Sequence, residues 1–452
     1  MRGPGRGRLL SLASAVLLMG AATVEPPQLI EAAKGRDWEA VRVLIREGAA
    51  VDAAAPDGTT ALHWASYWDH RETAELLLRV GADPDAANDL GATPLWNAAM
   101  NGSADMVRSL LAGGADANAA LLSGESSVMT AARTGDPDAL ELLLVSGADP
   151  NARGPRGQTA LMWAASQKHP EAVRVLLAHG ADLHARSDTW SQVMAVPPHS
   201  DPSNQQIVQH GGNTALLFTA RIGDVASARL LVNAGADLDA TDAAGTTSTV
   251  LAAHSGFADL VELLLDEGAD PDLADAGFAA LHLAVLRRDE QMARTLLSHG
   301  ADPNTRLTNW TPTRRASADW SIHPSLVGAT PFWLAARLSE PGLMRLLADH
   351  GADPLFVHRV RYVGAAGAFG TAERNEATTA LMAAVGMGGP RNVRGFVNPT
   401  SAELQALRLD AVRLAVELGI DPAARDQEGR TAAEAARDQA VRDFLAGSAT
   451  RE

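Results

Sequence analysis

Gly58-Thr-Thr-Ala-Leu-His-Trp-Ala65, then Leu77-Leu78, then Gly81-Ala82-Asp83, make one copy of a phrase that fills most of this 452-residue chain. Its closing Gly-Ala-Asp recurs at Gly81, Gly114, Gly147 and Gly180, each 33 residues after the last. It returns at Gly235, Gly268, Gly300 and Gly351, with the variants Gly48-Ala-Ala before the series and Gly419-Ile-Asp after it. A fixed period in this range means a stack of one supersecondary unit, each copy too small to bury its apolar face alone.

The unit reads as two short helices and a finger. Thr60 is placed to cap the first helix by accepting from an orphan N–H of its first turn. Thr93-Pro94 and Thr330-Pro331 add proline at the first helical position, where its fixed φ fits and no donor is lost. A second helix carries Ala74, Leu77 and Leu78 at the spacing of one buried face; Val173, Leu176 and Leu177 repeat it, as do Val261, Leu264 and Leu265. Gly81 ends that helix, because the left-handed conformation beyond a helix end suits glycine. Ala82-Asp83-Pro84 then leads the chain out as an extended finger.

These residues resemble the ankyrin repeat family, whose phrase is Gly-x-Thr-Pro-Leu-His-x-Ala, a Leu-Leu helix and Gly-Ala-Asp. The phrase stands here at Gly58, Gly91, Gly157, Gly277 and Gly328, with weaker copies at Gly124, Gly212, Gly245, Thr378 and Gly429 and a leading half-copy over 27–48. The resemblance implies an all-α solenoid of about ten helix-turn-helix units over 23–447, with β-hairpin-like fingers, several loop insertions and a tail at 448–452. Only His63 and His282 keep the motif histidine, so weaker finger ties are expected elsewhere. In the family, the residues just after each first helix contact the partner. Carried over, these are Tyr67 and Trp68, Met100 and Asn101, Arg133 and Thr134, Ser166 and Gln167, Arg221 and Ile222, His254 and Ser255. Tyr67 and Trp68 stand out as the anchor, since Tyr and Trp give large contact area at small entropy cost.

The period stretches in three places. The extra residues fall at about 186–211, 306–327, 356–376 and 386–401, and their Pro, Gly, Ser and Asn content reads as long loops. Finger insertions should overhang the groove, which makes Trp190, Trp310 and Trp320 further candidates for partner contact.

The net charge of −16 argues against a nucleic-acid partner. The absence of Cys excludes disulfides, thiolate metal sites and cysteine nucleophiles. Arg2, Arg6 and Arg8, the apolar run 9–19 and Gly20-Ala21-Ala22 follow the order of a signal peptide, 1–22, cleaved near Ala22. The run is too short for a comfortable membrane span. The chain thus resembles an exported, bacterial member of the family, periplasmic or secreted and expected to be monomeric.

No catalytic constellation stands out in the sequence, and no metal or cofactor site is expected. His179, His299 and His350 share one position before Gly-Ala-Asp, which suits capping of a helix C-terminus. The recurring aspartates, Asp83 to Asp353, are one repeat residue and read as structural. The reading is a non-enzymatic scaffold binding a protein partner in the groove. The alternatives are a ligand or enzyme pocket built by the insertions, and a secreted effector.

Overall fold

The computed structural model describes residues 28–194, 206–311, 322–366, 370–388 and 401–448. The expected signal peptide, Trp320, positions 389–400 of the last insertion and the end of the tail lie outside them.

Eleven helix pairs follow one another. They are α1 (Gln28–Lys34) and α2 (Trp38–Arg46), α3 (Ala61–Tyr67) and α4 (Arg71–Arg79), α5 (Pro94–Asn101) and α6 (Ala104–Ala112), and α7 (Ser127–Thr134) and α8 (Pro137–Val145). Next come α9 (Ala160–Ser166) and α10 (Pro170–Ala178), α11 (Ala215–Ile222) and α12 (Val225–Asn233), and α13 (Ser248–Ser255) and α14 (Ala258–Asp266). The series ends with α15 (Ala280–Arg287) and α16 (Glu290–Ser298), α17 (Pro331–Arg337) and α18 (Pro341–Asp349), α19 (Ala380–Ala384) and α20 (Ser401–Glu417), and α21 (Ala432–Ala435) and α22 (Gln439–Ser448). The leading half-copy is therefore a complete pair.

Capping sets the starts. Thr60, Thr93, Thr214, Thr247, Thr330 and Thr379 each accept from the N–H three residues on. First helices stack on neighbouring first helices and second on second, so the buried Ala and Leu positions merge into one long core. Ala74, Leu77, Leu176 and Leu264 are fully buried, as the spacing requires.

A side-chain ladder joins the fingers. At seven junctions the residue two after the third position of Gly-Ala-Asp, or of its variant Gly48-Ala-Ala, accepts from the backbone N–H of the next repeat's aspartate. Asp52 takes Asp83 N–H at 2.7 Å, Asn118 takes Asp149 at 2.8 Å and Asn304 takes Asp353 at 2.8 Å. The aspartate in turn accepts from the N–H two residues on, as Asp83 does from Asp85. The aspartates are thus structural, and the ladder is the reason they recur. Among the described residues His184 makes no such bond, and Arg186 bridges that junction by donating to Gly212 O and Thr241 O.

Two insertions are strands, where loops were expected. In the first, β1 (Thr189–Met194) and β2 (Gln206–Gly211) pair antiparallel with Trp190 opposite His210. In the third, β3 (His358–Ala366) and β4 (Gly370–Thr378) pair with His358 opposite Thr378 and Tyr362 opposite Arg374. Thr, Trp, Val, Ile and Tyr within the insertions favour a pleated strand over the flanking turn residues. The second insertion folds against its own repeat through Leu307 and a short 3-10 turn, Pro324–Leu326, both buried.

Candidate functional site

The carried-over residues sit where the first helices end, and cross-repeat ties run from one to the next. Asn101 Nδ2 donates to Ser66 O and Tyr67 O at 3.0 and 2.9 Å. Thr134 Oγ1 donates to Ala99 O, the His169 ring meets Arg133 O at 3.1 Å, and Arg287 donates to His254 O at 2.9 Å. Each tie caps a helix C-terminus of the preceding repeat, which leaves orphan carbonyls there.

Tyr67 is the exposed member, at 42 %. Its ring meets Trp64 edge-on at 5.7 Å and Trp68 at 4.7 Å. Trp68 is half-buried: its indole donates to Lys34 O at 3.3 Å, and the Arg36 guanidinium lies 3.5 Å over its ring. Trp68 therefore belongs to the seam between the first two repeats, and Tyr67 alone presents a free aromatic face. Met100 is half-buried beside the Asn101 tie. Arg133 pairs with Glu125 at 3.0 Å and lies over Trp163, while Arg221 donates to Asn213 at 3.2 Å. Gln167 is exposed at the end of α9, and His254 is half-buried at the end of α13.

The insertion tryptophans divide. Trp190 stays 42 % exposed although it stacks on His210 at 5.5 Å and lies under Arg156. Trp310 lines a cleft of about 280 Å³. One wall is Ile207, Val208 and Gln209 of β2, the other Asn309, Trp310 and Thr311. Its floor is the tips of the two ordinary fingers between, with Ala243, Ala276 and Phe278.

Sequence reading missed a second apolar feature. Leu90 and Leu122 are 70 % and 82 % exposed on adjacent fingertips, joined by Leu122 N–H to Leu90 O at 2.9 Å. A leucine one or two residues before the motif glycine, Leu90 before Gly91 and Leu122 before Gly124, where Pro56 and Asp57 stand in the first full copy, is the signal that could have found them.

The motif histidines, those before Gly-Ala-Asp and His358 hold structure. His63 Nδ1 accepts from Thr60 N–H and its Nε2 donates to Ala92 O of the next finger at 2.8 Å. His282 does the same between Ala279 N–H and Thr305 O, and burial lowers its pKa to about 4. His179, His299 and His350 cap the C-termini of α10, α16 and α18. His299 also reaches Asp266 at 3.0 Å, and the Thr295 carbonyl, with Asp266, raises its pKa. On the inner face of β3 and β4, His358 packs on Trp333 at 4.3 Å and donates to Val327 O. Tyr362 donates to Glu376, and burial pushes its pKa up to about 12. These contacts seat the hairpin on α17. Among the described residues, no group of three or more potential ligands is placed to hold a metal, and no helix is long and apolar enough to cross a membrane.

A stack of capped helix pairs with ladder-linked fingers defines a class of repeat protein. A family model described as ankyrin repeats in three copies matches residues 24–88, 95–187, 128–242, 192–275 and 216–307. The chain belongs to the ankyrin repeat family. Among solved structures it is similar to the human ASB11 ankyrin repeat domain, at 28% identity and a TM-score of 0.44, over 54% of this chain and 99% of that one. No curated protein matches it. Ankyrin repeats are generally protein–protein interaction modules.

Proposed function

We propose that this chain is a non-enzymatic scaffold that holds a protein partner along the ends of its first helices, with Tyr67 as the anchor. It works outside the cytoplasm once residues 1–22 are removed. The observation that carries the reading is the aromatic plate of Trp64, Tyr67 and Trp68. Asn101 fixes its carbonyls, and Trp68 is locked by Lys34 and Arg36. An exposed ring held rigid before binding loses little entropy on binding, which is how interface anchors gain their weight. A binding site built by the insertions is the second reading, and the cleft between β2 and Trp310 favours it.

Cross-linking the mature protein in its own cells, followed by mass spectrometry, identifies the partner. Tyr67→Ala should then weaken binding by about 2 kcal/mol with the helical circular dichroism unchanged. Full affinity in that variant would remove the strip from the interface. N-terminal sequencing tests export, and intact Met1 in the soluble cytoplasmic fraction would refute it.

A further inference from the structure

Among the described residues, the first hairpin has an edge with no strand beside it. Its sheet contains β1 and β2 alone. Ala243 N–H donates to Gly211 O at 2.9 Å, so the backbone groups of Gly211 point away from β1 and toward the next finger. Alternate residues of a strand share one direction. Gln209 and Ile207 therefore turn their N–H and C=O groups the same way, further out along the hairpin. The lining of the cleft agrees. Successive side chains leave a strand on opposite faces, so three consecutive residues, Ile207, Val208 and Gln209, border one space only along an edge.

That edge faces Trp310 across a floor of small side chains and Phe278. The cleft arises because two inserted fingers flank two ordinary ones, and the shorter pair leaves a gap. An open edge offers donors and acceptors at a two-residue spacing, which an extended polypeptide matches. The gap beside it takes the side chain such a segment directs inward.

We propose that β2 accepts an extended peptide segment of a protein partner as a third strand, with an apolar side chain of that segment seated between Phe278 and Trp310. The proposal specifies the kind of partner the scaffold reading leaves open, and it stands on a site separate from Tyr67.

The test uses the full mature chain and a phage-displayed library of random peptides. Enriched sequences are synthesised with a fluorophore and measured by anisotropy. Gln209→Pro removes one outward N–H and keeps the hairpin bonds, which by the same alternation run through Val208 and His210. Exchange protection of the Val208 amide confirms that the hairpin persists. The expected result is enriched peptides with alternating apolar residues. Their affinity should fall about tenfold or more in Gln209→Pro and in Trp310→Ala, and on N-methylation of alternate peptide amides. Peptides lost in Trp310→Ala but indifferent to Gln209→Pro would overturn strand addition. Peptides sensitive only to Tyr67→Ala would leave the strip standing and sink this proposal. So would a library from which nothing specific to the cleft is enriched.

Discussion

The backbone N–H of Asp116 donates to the Asp85 carboxylate at 2.7 Å, a rung in which the side chain can only accept. One repeat on, Asn118 accepts from Asp149 and also donates to Gly147 O at 3.0 Å. Asparagine therefore closes both halves of the junction, and aspartate closes one. Asn151 and Asn304 repeat the double bond. The acidic rungs are a source of instability that sequence change can remove.

Asp272 is the sharpest case. Burial raises its pKa, and Asp302 and Asp270 add to this. Asp272→Asn keeps the acceptor for Asp302 N–H, at 2.8 Å in the native rung, and gains a donor aimed at Gly300 O. It should stabilise the fold by about 1 kcal/mol at neutral pH. A raised carboxylate pKa contributes stability below the ordinary value of 3.8 that is lost as pH rises through the folded value. The variant's advantage should therefore grow from acid to neutral pH in urea titrations. An equal gain at both would mean that the charge is immaterial.

His282 predicts the opposite slope. Its folded pKa of about 4 lies below the ordinary 6.5, because burial disfavours the cation. Its contribution is present above 6.5 and is lost as pH falls through about 4. The wild type should weaken across that window, with His63 shifted in the same direction. His282→Gln should be less stable at neutral pH and decline less steeply in acid. Parallel urea midpoints for the two proteins across the window would refute the assignment.

Lys168 occupies a left-handed position, φ 62, that Gly102, Gly135, Gly223 and Gly256 fill in other repeats. Relief of that strain, of about 1 kcal/mol, exceeds the added chain entropy of glycine. Lys168→Gly should raise stability by roughly half a kcal/mol. Arg288 sits at the same position, but its guanidinium pairs with Glu340. Arg288→Gly should therefore destabilise. Thermal melts of both variants check the contrast, and equal signs would refute it.

Cutting the first hairpin back by removing residues 191–209 should leave the far-UV circular dichroism intact, because the seam is held at the hairpin's base. Ser187 N–H donates to Asn213 O there, Asn213 N–H donates to Ser187 Oγ, and Arg186 spans to Thr241. Loop length alone changes stability only weakly. The same deletion should abolish peptide binding in the cleft. Collapse of the helical signal would make the hairpin a structural staple.

The solenoid was legible because each of its rules is local. Thr60 caps within one turn, Leu77 follows helical spacing, and Gly81 sits where φ must be positive. What escaped depends on pairing across distance. The strands β1 and β2 lie among Ser, Asp and Gly, and their register is set only when Trp190 meets His210 on the partner strand. The cleft escaped for the same reason, since Ile207 and Trp310 become neighbours only through the length of two fingers. Tyr67, singled out as the anchor, is exposed in the fold. Trp68 was not separable from it by position, because the partners that lock it, Lys34 and Arg36, lie in the preceding repeat.

The rung missing at His184 divides the array. Rungs run from Asp52 to Asp182 and again from Asp239 to Asp353, and among the described residues no side chain accepts the N–H of Asp237. In a quasi-one-dimensional stack, coupling between neighbours sets where the chain parts. Pulled from its two ends, this molecule should come apart as two blocks, with the fracture line at the hairpin. The cleft lies just past that line, so the surface best shaped to grip a strand is also where tension along the molecule would first be felt.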